Sequence, residues 1–332
     1  MNRRVRSLGA LAALAAILAL PRFAGAQAAA LADSASWTAP LTGRGQPDLQ
    51  GYWTNDTYTP LERPAELGDK ATFTAEEAAA FFKSKVDDLN GQAADDIHYD
   101  DAIWQAENYD KVASLRTSLI MEPRNGRLPP LTAHGEDRLP MQRATQRAVS
   151  ADSAASRSLG ERCISWGNVG PPMVPPTYNA NVQILQSRDL VVIRHEMMHD
   201  VRTIYLDGRA HPPASIQWLA GHSVGRFEGD TLVVDTTNFT PLTNFRGSPQ
   251  NTRQDIFASE RMHVVERFRR TDENSIHYSF TVDDPDTWVA PWSGEMEIRR
   301  TDGPIYEYAC HEGNLGLANI LRAARVAEQN GN

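Results

Sequence analysis

The chain has 332 residues, enough to bury one large core or two ordinary ones. It contains 33 Lys and Arg against 42 Asp and Glu, a formal net charge of -9, and the charges are interspersed. This acidic balance excludes binding to a phosphate backbone as a main activity, so nucleic acid is not an expected partner.

The first 26 residues have the three parts of a secretory signal peptide. Arginines form a basic start, an apolar run follows from Leu8 to Leu20, and an A-x-A cleavage site ends at Ala26. The apolar run is too short to span a bilayer, and no later segment is long enough. We therefore expect a mature protein in the periplasm or outside the cell, cleaved near Ala26 and without a stable membrane span.

Residues 27–160 predict a loop-rich and partly helical region that wraps a second part of the protein. The stretch 44–67 contains three prolines and no sustained hydrophobic period. A helix is predicted after Thr74, because Thr74 and Glu77 have the spacing of a capping box and Gly91 ends the run. A weaker helix is predicted at 104–116, and a polar, helix-prone stretch at 141–158.

Residues 161–332 predict a mainly β domain, an antiparallel lipocalin-like barrel or a sandwich, with a C-terminal helix at 315–329. About eight short β-branched runs occur from residue 181 onward, separated by turn signals such as Gly229-Asp230 and Asp272-Glu273-Asn274. This strand density is typical of a barrel or sandwich. Small barrels fill their interior with side chains or hold one small ligand.

The sequence contains two cysteines, Cys163 and Cys310. In an oxidising compartment they predict a disulfide, which would remove roughly 4 to 5 kcal/mol of unfolded-state entropy in the chain-entropy model. The alternative is a pair of free buried thiols.

The segment from His195 to His199 reads H-E-x-x-H, the pattern of zinc hydrolases that place both histidines on one face of a helix. Here the flanks 190–193 and 201–205 are rich in β-branched residues, which favour strands, and Asp207-Gly208 supplies a turn. On a continuous strand the two histidines would be more than about 10 Å apart. We predict no metal ligand, and a metal-dependent hydrolase using this segment is only the third hypothesis.

Six dispersed segments resemble a large group of secreted bacterial proteins, most of them described as hypothetical. The segments are GQPDLQGYWTNDTYTPLERP, LPPLTAHGEDR, RCISWGNVGPPM, GRFEGDTLVVDTTNF, VDDPDTWVAPW and IYEYACHEGNLGLANIL. The group's EMVHDxR pattern is matched here at Glu196, Met197, His199, Asp200 and Arg202, whereas His195 lies outside it. The resemblance covers nearly the whole mature chain and implies a shared fold, without an established reaction.

The candidate catalytic residues are His199, His311, Glu196 and Asp284. Histidine titrates near neutral pH, and a neighbouring carboxylate can orient it. His311 follows Cys310, so a disulfide would hold it in a defined place. The alternative is a histidine whose hydrogen bonds are satisfied by local backbone groups.

An apolar binding wall is the second candidate feature. Aromatic and flexible side chains shape ligand pockets, but they also fill cores. The predicted substrate-binding residues are Trp288, Tyr308, Trp292, Met197 and Arg202. His222, Ser223 and Asp235 lie in one stretch but lack the strand-turn-helix context of a serine hydrolase.

The sequence thus favours an extracytoplasmic enzyme of lyase or isomerase type. We expect acid/base chemistry (elimination, isomerisation or cyclisation) on a small, largely apolar or aromatic molecule. No phosphate loop or dinucleotide fingerprint occurs in the sequence, so no cofactor is expected. The second hypothesis is a non-catalytic carrier of a small hydrophobic ligand.

Overall fold

Alternation of apolar and polar residues from residue 181 onward builds most of a closed β-barrel. The computed structural model describes residues 37–90, 115–146, 150–165, 170–175, 179–246 and 255–330. The predicted signal peptide and most of the helix predicted at 104–116 lie outside these residues. The strands are β1 Gly51–Thr54, β2 Ile120–Glu122, β3 Asn181–Gln186, β4 Leu190–His195, β5 Val201–Tyr205, β6 His222–Glu228, β7 Thr231–Thr237, β8 Asn244–Arg246, β9 Asp255–Phe257, β10 His263–Arg270, β11 Ser275–Asp283 and β12 Trp292–Arg300.

Nine of these strands close the barrel in the order β1-β3-β4-β5-β6-β7-β10-β11-β12, with β12 pairing back to β1. Strand β2 pairs with β12 on the same edge, and β8 and β9 form a separate two-stranded sheet. The predicted mainly β barrel with a C-terminal helix is confirmed. The turns predicted at Gly229-Asp230 and at residues 272–274 connect β6 to β7 and β10 to β11.

One strand pair departs from the antiparallel pattern. The turn predicted at Asp207-Gly208 does not reverse the chain into a hairpin, because residues 206–221 form a long connection and β6 returns parallel to β5. Only two residue pairs register these strands, Ile204 with Ser223 and Tyr205 with Val224. The β5–β6 junction is therefore a short seam in the barrel wall.

The interior of the barrel is filled by alternate side chains of its strands. On β11, for example, Ile276, Tyr278, Phe280 and Val282 are buried, whereas the residues between them are partly or fully exposed. They pack with apolar residues of the other strands into one main hydrophobic core. This inward and outward alternation decides which polar residues of β4 to β10 can share a face.

Strand β1 comes from the region predicted to wrap the barrel. Its residues Tyr52, Trp53 and Thr54 favour extended structure, and Trp53 is fully buried, with its indole N–H donating to the Leu49 carbonyl at 3.0 Å. Residues 27–160 therefore contribute a strand to the closed barrel as well as loops and helices.

The helices are α1 Ala75–Asn90, α2 Ala133–Gln146 and α3 Leu315–Gln329. The predicted capping box at the start of α1 is formed: the Thr74 N–H donates to the Glu77 carboxylate at 2.8 Å, and the Glu77 N–H donates to Thr74 Oγ1 at 3.2 Å. Helix α2 starts before the stretch predicted at 141–158 and ends at Gln146, and Ala154–Ser156 form a 3-10 turn. Within the ranges given above, no helix has both the length and the apolar character needed to cross a membrane.

Candidate functional site

Cys163 and Cys310 form the predicted disulfide, with their Cα atoms 5.6 Å apart. Met197, Met198 and Tyr308 pack against it in a small cluster. The rings of His199 and His311 lie beside this cluster with their centroids 6.2 Å apart. His199 Nδ1 lies 3.0 Å from the Tyr308 carbonyl oxygen, and because a carbonyl only accepts, Nδ1 carries a proton.

The H-E-x-x-H segment is a strand end followed by a tight turn. Strand β4 ends at His195, and Met198 and His199 then adopt left-handed backbone conformations, with φ of 58° and 45°. The Glu196 carboxylate accepts hydrogen bonds from the Asn179 and Asn181 amides at 2.7 and 2.9 Å. Glu196 therefore anchors the turn, while His199 is exposed and His195 is buried.

Asp284 lies in the packed interior instead of an open site. It is 1% exposed and accepts three hydrogen bonds, from the Ser259 N–H at 2.7 Å, from Ser259 Oγ at 2.6 Å and from Thr287 Oγ1 at 2.8 Å. Trp288 and Trp292 are also buried, belong to the main core, and contact each other edge to face with ring centroids 5.6 Å apart. These three predicted site residues thus support packing.

Arg202 lies at the centre of a polar network inside the barrel, which we call the interior network. The guanidinium forms a bidentate ion pair with Glu266 and donates to Ser223 Oγ and Thr236 Oγ1, each at 3.0 Å. Tyr278 donates to Glu266 at 2.9 Å and accepts from the Met173 N–H at 2.9 Å. The Arg202 and Glu266 side chains are only 4% and 0% exposed, so the pair is almost completely removed from water.

His195 borders this network. Burial, followed by the charge of Arg202, lowers the pKa of His195 to about 3, so its ring is neutral at pH 7. Its Nε2 has no hydrogen-bond partner among the described residues. Throughout the ranges that the structure describes, no group of three or more His, Cys, Asp or Glu side chains is arranged to hold a metal ion.

A second polar cluster, the exterior cluster, lies on the outer face of the barrel and consists of His211, His222, Asp235 and His263. Asp235 on β7 pairs with Val224 on β6 and with Val265 on β10. His222 and His263 each lie two residues from these partners, so both are diagonal neighbours of Asp235 on the same face. The sheet itself brings the three side chains together.

Hydrogen bonds connect the four side chains in one chain. Asp235 Oδ1 lies 3.1 Å from His211 Nε2, and Asp235 Oδ2 lies 3.0 Å from His263 Nε2. His211 Nδ1 lies 3.0 Å from His222 Nδ1. Asp235 thus contacts two histidines directly and a third through His211.

The connection that carries His211 is fixed by Asn238. The Asn238 amide donates to the carbonyls of Pro212, Pro213 and Ile216 at 3.3, 3.1 and 2.9 Å, and Asn238 itself has a left-handed backbone with φ of 62°. Such a conformation persists in a non-glycine residue where its surroundings enforce it. The three bonds hold the 206–221 connection against the barrel.

The positions of the protons in the cluster follow from its acceptors. A carboxylate only accepts, so His211 donates its Nε2 proton to Asp235. In the tautomer in which His211 accepts at Nδ1, His222 donates from its own Nδ1. The lone pair of His222 is then on Nε2, for which the described part of the chain shows no hydrogen-bond partner.

The surroundings shift the pKa values of the two outer histidines in opposite directions. Partial burial lowers the pKa of His222 below 6.5, with smaller effects from His211 and Arg209. The hydrogen bond to Asp235 raises the pKa of His263 above 6.5, and the negative charge of Asp283 adds to this. The same bond to His263 is the main reason why the pKa of Asp235 is lowered. Near neutral pH the cluster thus holds a neutral histidine and one that favours its proton.

Aromatic rings surround His222. Its imidazole stacks on Tyr205 at 5.4 Å between centroids, and Trp218 lies tilted at 5.6 Å. The Arg209 guanidinium covers the Tyr205 ring at 3.7 Å and pairs with the Asp207 carboxylate. The histidine that offers a free lone pair is therefore next to aromatic surface.

Sequence reasoning did not select this cluster as a site. The predicted hairpin through Gly229-Asp230 contains the signal, because its two-residue turn places His222 and Asp235 on one face. Ser223 points to the opposite face, into the interior network, which explains why these three residues do not form a serine hydrolase triad. His263 and His211 join only through contacts that are distant in sequence.

Fold and site together define a closed β-barrel with a carboxylate and three histidines hydrogen-bonded on its outer wall. The chain has no significant match among protein-family models, curated proteins or solved structures.

Proposed function

We propose that the protein is an extracytoplasmic enzyme that performs acid/base chemistry, such as elimination, isomerisation or cyclisation, on a small, largely apolar molecule. The observation that supports this best is the Asp235–His211–His222 chain, which leaves one histidine nitrogen free. The Cys163–Cys310 disulfide supports the extracytoplasmic location, because disulfides persist in oxidising compartments.

His222 is the proposed base. When Nε2 takes a proton from the substrate, the positive charge on the ring is stabilised through Nδ1–H by His211, which Asp235 holds from behind. This is the same principle by which a carboxylate orients and stabilises a catalytic histidine in hydrolases. A pKa below 6.5 keeps His222 unprotonated and ready at neutral pH.

His263 is the proposed acid. It contacts Asp235 through Nε2, so the protonated ring offers its Nδ1–H to a leaving group or a developing anion. Environments that separate the pKa values of two titratable groups are a mark of acid/base pairs. Asp235 contacts His263 directly and His222 through His211, which connects the two proton-transfer steps electrostatically.

In this proposal the exterior cluster performs the acid/base catalysis that the sequence analysis assigned to His199, His311, Glu196 and Asp284. Glu196 and Asp284 already accept hydrogen bonds from their neighbours, and His199 donates to a backbone carbonyl. A carrier is the alternative function, since closed barrels can hold a ligand inside. It predicts binding without turnover.

The base can be tested with 5-nitro-1,2-benzisoxazole, an uncharged aromatic probe. A base removes the proton on C3, the electrons of that C–H bond form the nitrile, and the N–O bond breaks to release a coloured phenolate. We expect turnover that falls about 100-fold or more in His222→Ala, since positioned general bases contribute roughly 10² to 10⁴. His277→Asn is the matched control, because His277 is another half-buried histidine paired with a carboxylate, Glu297.

The protonation state gives an independent measurement. Long-range ¹H–¹⁵N spectra at pH 7 should show His222 protonated on Nδ1 and unprotonated on Nε2. A proton on Nε2 at pH 7, or benzisoxazole turnover that is the same in His222→Ala as in the unaltered protein, would contradict the proposed function.

A further inference from the structure

Three large apolar side chains on the segments 212–221 and 238–243 are exposed to solvent. Trp218, Ile216 and Leu242 are 41%, 47% and 45% exposed. Single exposed apolar residues are common on protein surfaces, whereas a group of them marks a contact surface. We call these three residues the apolar rim.

The backbone explains why the rim residues belong together. The Trp218 N–H donates to the Asn238 carbonyl at 2.9 Å, and the Thr240 N–H donates to the Trp218 carbonyl at 3.1 Å. Ile216 is held by the Asn238 amide, and the Leu242 N–H donates to Thr240 Oγ1. The segments 212–221 and 238–243 therefore form one structured surface beside the exterior cluster.

The charged groups around His222 are paired. Arg209 is paired with Asp207, and Asp235 is paired with His263, whose pKa it raises. Binding of a substrate carboxylate or phosphate would require an unpaired cationic side chain with several hydrogen-bond donors. The surface suits a molecule without a net charge.

The polar group that His222 offers is an acceptor. With a proton on Nδ1, its Nε2 carries a lone pair, and the centroid of its ring lies 5.6 Å from that of Trp218. A ligand that meets both features must supply a flat apolar face and a hydrogen-bond donor. An aromatic ring with an attached hydroxyl group has this combination.

We infer that the exterior cluster binds an uncharged phenol-like molecule, whose ring lies against Trp218 and whose O–H donates to Nε2 of His222. This assignment rests on the proposed function, since it places the hydroxyl proton where the proposed base would accept it. Ile216 and Leu242, exposed on the same two segments, would supply further apolar surface for a substituent on the ring.

Four probes of similar size separate the requirements of the site. 4-Methylphenol has the ring and the O–H, 4-methylanisole has the ring without the O–H, cyclohexanol has the O–H without the aromatic ring, and 4-methylbenzoate carries a negative charge. Dissociation constants come from NMR titrations at pH 7 that follow the Nε2 resonance of His222. We expect 4-methylphenol to bind about tenfold or more tightly than each of the others.

Trp218→Ala should weaken 4-methylphenol binding at least about tenfold, by loss of the stacking surface. The matched control is Tyr306→Ala, since Tyr306 is another exposed aromatic residue, 73% exposed, and its removal should leave binding unchanged. Thermal melts establish that both variants fold. Equal or tighter binding of 4-methylbenzoate, or full binding by Trp218→Ala, overturns the inference.

The outcome is distinguishable from failure of the proposed function. If 4-methylphenol does not bind while benzisoxazole turnover depends on His222, the substrate class is wrong and the base stands. If 4-methylphenol binds through Trp218 while turnover is independent of His222, the surface is a binding site and the acid/base function is wrong.

Discussion

The interior network and the exterior cluster each contain one central carboxylate, Glu266 and Asp235 respectively, but the hydrogen bonds around these two carboxylates differ. Inside the barrel, Glu266 accepts from Arg202 and Tyr278, and Arg202 also donates to Ser223 and Thr236. Outside, Asp235 binds His211 and His263, and the chain of rings ends at a free nitrogen. The difference follows from water: a fully buried charge must be satisfied within the protein, whereas a half-exposed ring can keep one position open.

The interior network also joins neighbouring strands of the barrel through side-chain hydrogen bonds. The β5–β6 seam is registered by only two residue pairs, and Arg202 on β5 donates to Ser223 on β6 across the same junction from inside. The network continues to Thr236 on β7 and Glu266 on β10. The interior network therefore joins strands at one of the two shortest junctions of the barrel, the other being β1–β12, which also has two residue pairs.

The comparison is tested most strongly by Arg202→Met. Removing one partner leaves the Glu266 carboxylate buried without its cation, so we expect the free energy of unfolding to fall by about 3–5 kcal/mol. The double variant Arg202→Met, Glu266→Leu should recover most of this loss. Urea denaturation of the single and double variants measures both values, and a single variant as stable as the unaltered protein would show that the network does not support the seam.

His195 should make the barrel sensitive to acid. The pKa of histidine is near 6.5 in the unfolded chain, while burial and Arg202 lower the pKa of His195 to about 3 in the folded protein. Between these values the unfolded state binds more protons, so the free energy of unfolding decreases as the pH falls, by about 3 kcal/mol from pH 7 to pH 4. His195→Leu should show a clearly flatter pH dependence in denaturant titrations, with His134→Leu as an exposed control.

Asp235→Asn should affect chemistry more than stability. Without the carboxylate, the pKa of His263 should return toward 6.5 and benzisoxazole turnover should drop about 10- to 100-fold. The cost in stability should stay near 1 kcal/mol, because the cluster is partly exposed. NMR titration, turnover and denaturation separate these effects. If stability drops as much as in Arg202→Met, the two clusters do not differ in role.

The pH dependence of turnover gives the smallest but most specific effect. Neutral His222, which faces His211, Arg209 and Tyr205, is the active base, so the rate should rise with pH through a pKa below 6.5. Protonated His263, which faces Asp235 and Asp283, is the active acid for substrates that need one, so the rate should fall through a pKa above 6.5. The turnover rate is therefore expected to have a bell-shaped dependence on pH, with its maximum around neutral pH. A rate that only increases with pH would remove His263 from the mechanism.

Local sequence signals predicted individual turns and helix ends better than they predicted which strands pair with each other. The capping box at Thr74, the turn at Gly229-Asp230 and the Cys163–Cys310 disulfide are all present in the structure. Strand β1 was not predicted, because four residues in a proline-containing stretch have no period of their own and become a strand by pairing with β3 and β12. Burial of Trp53 then outweighs weak local preference.

In the candidate site, too, contacts between segments that are distant in sequence could not be predicted. The β-branched flanks predicted a strand through His195 and His199, but the turn with left-handed Met198 ends the strand, so that His195 is buried and His199 is exposed. The face shared by His222 and Asp235 was accessible from the hairpin alone. His263 required the pairing of β7 with β10, which are separated by a long connection that carries no sequence signal for it.

Closure of the barrel by β1 and β12 has a consequence for biogenesis. Trp53 pairs with Val182 and with Arg300, so a chain made from its N-terminus holds its first strand long before the last partner has been synthesised. Until then the edge of β1 that will pair with β12 stays open, and open strand edges promote aggregation. The barrel can therefore close only after residue 300 has been added, so its final pairing joins the two most distant strands of the barrel along the chain.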